Sequence, residues 1–264
     1  MQILSLGKHN PRVVAIRRAI QNAELTPDGL LPIEGPKLVQ EAIRSGIELT
    51  DIFLQRGKQE TVHALHLKPN TAVFELEADV FKTIQSTETS QGMVALVKLP
   101  RFDLTQLLSL PNPLIILLGR LQDPGNVGAI LRIAESFFAT GCIALTGTVS
   151  MHNSKTVRAS AGSLFRLPCV WNADLYEVSR LLKQAGIPIV GTSPSAADTI
   201  AQWGWKKPLA LMIGNEGSGL SNEELQCCDA VLRIPQNPAV ESLNSAIATA
   251  VILYEALKHE RITV

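Results

Sequence analysis

The sequence predicts an α/β protein built as two domains, and three observations carry that inference. Apolar runs of strand length alternate with amphipathic segments of helix length along most of the chain. Runs at residues 114–118, 187–190 and 209–213 each lead into a loop containing glycine. Between the two halves, residues 99–113 carry Pro100, Pro111 and Pro113 among polar side chains and read as a connection. The expected division is 1–105 and 106–264.

Residues 10–23 place Val13, Val14, Ile16 and Ile20 at helical spacing after Pro11, with Arg12, Arg17 and Arg18 on other faces. That basic face is either a solvated surface or an RNA contact through Arg17 and Arg18. From Leu31 the order is a short strand, a helix over 36–45, a strand at 52–55, a helix, a strand at 71–76, a helix over 79–84 and a strand at 93–98. In the second half a buried strand at 114–118 precedes a helix over 127–140 and a strand at 142–145. The runs at 187–190 and 209–213 follow, then a strand at 231–234 and a helix starting near Ser242. Periodicity alone draws this half as an open, doubly wound parallel sheet, in which ligands bind beyond the carboxyl ends of the strands.

Bulk properties narrow the class. A chain of 264 residues that is 46% hydrophobic supports packed cores. No run approaches the length of a membrane span, and the N-terminal residues lack a signal-peptide pattern, so a cytoplasmic location is expected. Cys142, Cys169, Cys227 and Cys228 show no metal-ligand spacing and read as reduced thiols, with no metal. Lys plus Arg and Asp plus Glu are 24 each, so any grip on nucleic acid must come from local patches.

Three segments carry polar chemistry. In LLGRLQDPGNVGAILRIAESFFATG, Asp123 to Asn126 form a tight turn, Asn126 is placed to cap the helix, and Arg132 and Glu135 can pair on one face. In LALMIGNEGSGLSNEEL, Gly214, Gly217 and Gly219 form either a glycine-rich turn or a ligand loop, and Ser221 with Glu224 makes a capping box. The glycine spacing matches neither GxGxxG nor a P-loop. In LRIPQNPAVESLNSAIATAVILYEALK, residues 241–245 resemble a helix cap, and Ala246, Ala248 and Ala250 allow close packing.

Taken together in their order, these segments resemble the SpoU/TrmH family of RNA 2′-O-methyltransferases, as does KTVRASAGSLFRLP from Lys155 onward. The first half, through IEGPKLVQEAIRSG and STETSQGMVALVKLP, resembles the small ribosomal-protein-L30e-like substrate-binding domain that some members carry. The resemblance implies an S-adenosylmethionine-dependent enzyme, a C-terminal trefoil knot and a homodimer with the active site at its interface. It implies a cofactor pocket at Thr192, Gly214, Ile234 and Leu243, approached closely at Gly217. Glu216, Ser242 and Asn244 would shape the catalytic pocket, Arg132 would activate a ribose hydroxyl, and Asn126 would stand beside it. A guanidinium is a poor base, so Arg132 is expected to stabilise the developing alkoxide while the proton leaves to a phosphate, water or Glu135. Lys155 and Arg158 are expected to meet RNA phosphates, and Glu34 and Gly35 to lie in the domain that holds the folded target. The expected substrate is 23S ribosomal RNA, with transfer RNA as the alternative. Two competing readings are a catalytically inactive RNA-binding assembly factor and a small-molecule enzyme using a nucleotide cofactor.

Overall fold

The computed structural model describes residues 3–258 apart from 64, 238 and 241, and divides into two compact units. The first unit comprises Met1–Pro100 and Ser150–Phe165; the second comprises Arg101–Val149 and Arg166–Val264. Residues 150–165, which the sequence reading assigned to the second half, therefore cluster with the first.

The first unit begins with β1 (Ile3–Ser5), α1 (Pro11–Asn22), β2 (Leu31–Glu34), α2 (Pro36–Arg44) and β3 (Glu48–Gln55). It continues through α3 (Glu60–His63), β4 (Ala72–Leu76), α4 (Ala78–Phe81) and β5 (Met93–Lys98). Its sheet has the order β1-β4-β3-β5-β2, with β1 and β3 parallel to β4, and β2 and β3 antiparallel to β5. Strand β3 starts four residues before its apolar run, because a register shift between Leu49 and Asp51 lets the polar beginning pair with β5. Helix α1 lays Val13 and Ile16 into a core with Phe53, Phe74 and Leu76. Its arginines divide: Arg12 pairs with Asp51 and lies 4.9 Å over the Phe74 ring, Arg17 donates to Thr83 Oγ1 at 2.9 Å, and Arg18 is exposed.

The second unit starts with α5 (Leu104–Leu108), β6 (Leu114–Leu118), α6 (Pro124–Ser136) and β7 (Gly141–Leu145). The chain then returns to the first unit with α7 (Ser154–Ala159) and a short 3-10 turn (Ser163–Phe165). There Lys155 is exposed, and the Arg158 guanidinium donates to Ser86 Oγ.

Back in the second unit come β8 (Cys169–Ala173), α8 (Leu175–Gln184), β9 (Ile189–Thr192), β10 (Asp198–Thr199) and β11 (Leu209–Ile213). They are followed by α9 (Asn222–Gln226), β12 (Ala230–Arg233) and α10 (Ser245–Leu257). All seven strands of this sheet are parallel, in the order β10-β12-β9-β11-β6-β7-β8. Every residue of β6, β7 and β11 is buried, as their continuous apolar runs require of a sheet covered on both faces.

Several boundaries moved for identifiable reasons. Helix α6 starts at Pro124 because Asp123, not Asn126, is its cap: the Asp123 side chain accepts from the Asn126 backbone N–H at 2.9 Å. It stops before Phe138, whose φ of +59° leaves the helical region. Helix α10 starts at Ser245, with Asn244 rather than Ser242 at its cap. Strand β8 escaped prediction because CVWNA is half-exposed and lacks a continuous apolar run. Among the described residues no helix is long and apolar enough to cross a membrane, and no group of His, Cys, Asp and Glu side chains is placed to hold a metal ion.

The first unit contains one heavily bonded carboxylate. Glu34 Oε2 accepts from Ser86 N at 2.7 Å and Ser86 Oγ at 2.5 Å, and Oε1 accepts from Thr87 Oγ1 at 2.7 Å. Burial pushes its pKa up, but these hydrogen bonds outweigh burial and hold the carboxyl below its ordinary value. Glu34→Gln turns one acceptor oxygen into a donor facing other donors, so urea unfolding should show a loss of roughly 1–3 kcal/mol. Amide exchange at Ser86 should quicken with it.

Candidate active site

The carboxyl ends of β12, β9 and β11, three neighbours in the sheet, open into one cavity of about 320 Å³ in the second unit. Thr192 ends β9, Gly214 follows β11 and Ile234 follows β12, so parallel strands bring residues 42 positions apart to one rim. Gly217 and Leu243 line the same cavity, as do Glu216 and Ser242. All five residues assigned to cofactor binding are thus brought together. The volume lies in the range of small-molecule pockets, and the walls supplied by Ile213, Leu220, Leu232, Ile234 and Leu243 suit a flat apolar group.

The loop after β11 is folded on itself. Asn215 and Gly219 exchange backbone hydrogen bonds at 3.0 and 2.9 Å, and Asn215 Oδ1 accepts from the N–H groups of Gly217 and Ser218 at 3.0 and 3.1 Å. A Cβ on Gly214 would sit 2.5 Å from the carbonyl carbon of Gly219 and the nitrogen of Leu220, both backbone atoms that cannot swing aside. Only glycine lets this loop close.

A second, adjoining recess is lined by Asn126, Glu216 and Asn244. A hydrogen-bond chain runs through it and joins the three polar segments. Glu216 accepts from the N–H groups of Gln122 and Asp123, both at 3.1 Å, and from Asn126 Nδ2 at 3.2 Å. Asn126 Oδ1 in turn accepts from Asn244 Nδ2 at 2.8 Å, while Asn244 Oδ1 caps α10 through Ala246 N at 3.0 Å and Ile247 N at 3.3 Å. Because Asp123 caps α6, the Asn126 amide is released for this chain. Burial raises the Glu216 pKa, but the backbone donors and the Asn126 amide more than reverse it, and the group stays below its ordinary value of 4.5.

Arg132 is on the exposed face of α6 and lines neither cavity; its guanidinium has no partner among the described residues. The expected pair with Glu135 is replaced: Arg166 holds the Glu135 carboxylate, with Nη2 to Oε2 at 2.9 Å. Lys155, Arg158, Arg17 and Arg18 belong to the first unit. Pro238 and Glu241 of the third segment lie outside the described residues.

Sequence reasoning missed three contributors. Asn215, which organises the loop, was visible only as the residue after Gly214. Gln122 acts through its backbone N–H, which no side-chain pattern reveals. Ser245 lines the 320 Å³ cavity, with its hydroxyl buried and without a hydrogen-bond partner among the described residues. A buried hydroxyl without a partner is a rare feature beside such a cavity.

Two outcomes follow from this geometry. Gly214→Ala should cost about 1–3 kcal/mol in urea unfolding, through overpacking against backbone. The Glu216 contribution has a defined sign: a depressed folded pKa stabilises the protein above the unfolded value near 4.5, and that stabilisation is lost as pH falls through the folded pKa. The gap in unfolding midpoint between the wild type and Glu216→Gln should therefore be widest near pH 7 and narrow toward pH 3.

Comparison with known proteins agrees with this geometry. Residues 113–254 match the SpoU rRNA Methylase family, and residues 10–95 match the MRM3-like substrate binding domain. The chain is 29% identical over 245 residues to the 23S rRNA (guanosine(2553)-2′-O)-methyltransferase RlmP of Bacillus subtilis, covering 93% of this chain and 95% of that protein. It superposes with a TM-score of 0.85, at 30% identity, on an rRNA methyltransferase from Sinorhizobium meliloti bound to S-adenosylmethionine; 99% of this chain and 100% of that one are covered. The methyltransferase AviRb of Streptomyces viridochromogenes, also with the cofactor, gives 0.84 at 27% identity, covering 95% and 98%. With a matching parallel-sheet domain, a matching smaller domain and a cavity at the expected strand ends, the chain belongs to the SpoU rRNA methylase family of S-adenosylmethionine-dependent enzymes.

Proposed function

We propose that this protein transfers a methyl group to a ribose 2′-hydroxyl of 23S ribosomal RNA. The observation that carries the reading is the junction of the cavity with the Glu216–Asn126–Asn244 chain. One side is an apolar pocket of nucleoside size, the other a polar recess with fixed amide and carboxylate groups. RlmP and a 23S rRNA (uridine(2479)-2′-O)-methyltransferase of Streptomyces viridochromogenes, two relatives of this chain, support the substrate class.

Residues 106–264 are assigned to methyl transfer and 1–105 to RNA binding, with residues 150–165 lending Lys155 and Arg158 to the first unit's surface. Thr192, Gly214, Gly217, Ile234 and Leu243 would hold S-adenosylmethionine. The bound cofactor supplies an electrophilic methyl group, so the work left to this chain is placing a hydroxyl in line and stabilising oxygen as its proton leaves. Glu216 holds the Asn126 amide in place, and the Ser242 and Asn244 side chains are suited to orienting the ribose. Arg132, which lines neither cavity of its own protomer, would supply positive charge to the alkoxide across the proposed dimer interface, and the proton would pass to phosphate, water or Glu135. Arg18 is an exposed cation of α1 that pairs with no carboxylate among the described residues, and Arg17 acts with it from a partly buried position tied to Thr83.

The reading includes a trefoil knot, a homodimer and a cytoplasmic location. Support for the dimer comes from α10, where Ile247, Val251 and Tyr254 are exposed at i, i+4 and i+7, an apolar stripe beside α6 and its Arg132.

The test is Arg132→Ala. Methyl transfer to 23S rRNA in a tritiated-methyl assay should fall by at least about 10²-fold, while calorimetry shows S-adenosylmethionine binding retained. Wild-type turnover in the variant would remove Arg132 from the mechanism. A wild-type protein that methylates no ribosomal RNA would remove the substrate assignment.

A further inference from the structure

Just upstream of the polar chain, Arg120 lies in the left-handed backbone region with φ of +56°. Its guanidinium forks onto Glu224, Nε to Oε1 at 3.1 Å and Nη2 to Oε2 at 3.0 Å. The two ends differ in exposure: the Glu224 side chain is 2% accessible and the Arg120 side chain 41%. The buried carboxylate also accepts from Ser221 N at 2.7 Å, and it fits only because Gly119 is bare, since a Cβ there would stand 2.7 Å from Glu224 Oε1. Neither residue lines the 320 Å³ cavity.

What the pair holds is the Arg120 carbonyl. That oxygen accepts from Asn215 Nδ2 at 2.9 Å, and Asn215 presents its other amide atom to the N–H groups of Gly217 and Ser218. An amide side chain has one donor end and one acceptor end, so fixing the donor end fixes which atom faces the loop. A non-glycine residue at positive φ stays there only when its surroundings hold it, and a bidentate fork to a buried carboxylate is such a hold.

We propose that Arg120 and Glu224 form a positioning pair for the cofactor loop: the fork locks the Arg120 backbone, whose carbonyl sets Asn215, which sets the amides of Gly217 and Ser218. The pair touches no substrate and acts only through Asn215. The inference rests on the cofactor reading above for the identity of the ligand, and on the hydrogen bonds alone for the coupling.

Arg120→Lys keeps charge and Cβ but cannot fork, and Glu224→Gln keeps shape while leaving no unpaired buried charge. Both are made in the full chain and compared with Leu107→Ala, a buried residue of α5 beneath Gly141 that serves as a control for general stability loss. Amide exchange at Gly217 and Ser218 should quicken in the two pair variants, and S-adenosylmethionine affinity by calorimetry should fall about tenfold, but neither should change in the control. The KM for S-adenosylmethionine should rise with kcat largely kept. Exchange and affinity equal to the wild type, or changed equally in Leu107→Ala, would overturn the proposal. If the wild type itself bound no S-adenosylmethionine, the cofactor reading would fail, and the exchange measurement would still judge the coupling.

Discussion

The second unit depends on a carboxylate that is satisfied by backbone from another segment. Glu216 is carried on the loop after β11, yet its hydrogen bonds come from the turn before α6, and through Asn126 it reaches the residue that caps α10. A half-buried carboxylate is costly without donors, and here the donors are two backbone N–H groups that need no side-chain entropy to hold them. Three loops distant in sequence are thereby fixed to one another by a single charged group. The low pKa of Glu216 is the electrostatic signature of that arrangement.

Around this centre the parallel sheet sets the coarse geometry and the glycine loop the fine geometry. Adjacent strands pointing the same way deliver Thr192, Gly214 and Ile234 to one rim, so the cavity is a consequence of topology before any side chain is chosen. Gly214 then lets the loop fold onto itself, and Asn215 turns the amides of Gly217 and Ser218 inward from its own oxygen. Apolar walls beside a polar recess give the two halves of the site different tasks: one excludes water and the other aims hydrogen bonds.

The formally neutral chain imposes a further constraint. With 24 cationic and 24 anionic side chains, long-range attraction to phosphate is weak, and several arginines are already committed within the protein. Arg12 pairs with Asp51, Arg158 with Ser86, and Arg166 with Glu135. The proposed recognition of RNA would then draw on shape and exposed cations such as Arg18, rather than on net charge.

Much of this was legible in the residues themselves. Buried strands such as β6 and β11 announce themselves as unbroken apolar runs, and the capping box of Ser221 and Glu224 needs only local chemistry. The five pocket residues came from the family resemblance that the ordered motifs carry, and the parallel strands place them at one rim. What the sequence could not determine is pairing between segments. Asp123 took the cap that Asn126 was expected to fill, Glu135 went to Arg166 instead of Arg132, and residues 150–165 joined the first unit. Each depends on which groups lie near one another after the chain has folded. A hydrogen bond or ion pair is chosen among all donors within about 3 Å, and sequence distance carries no information about that neighbourhood. Local patterns therefore marked most of the elements and the motif resemblance marked the candidate residues, while the tertiary structure decided which of them hold one another in place.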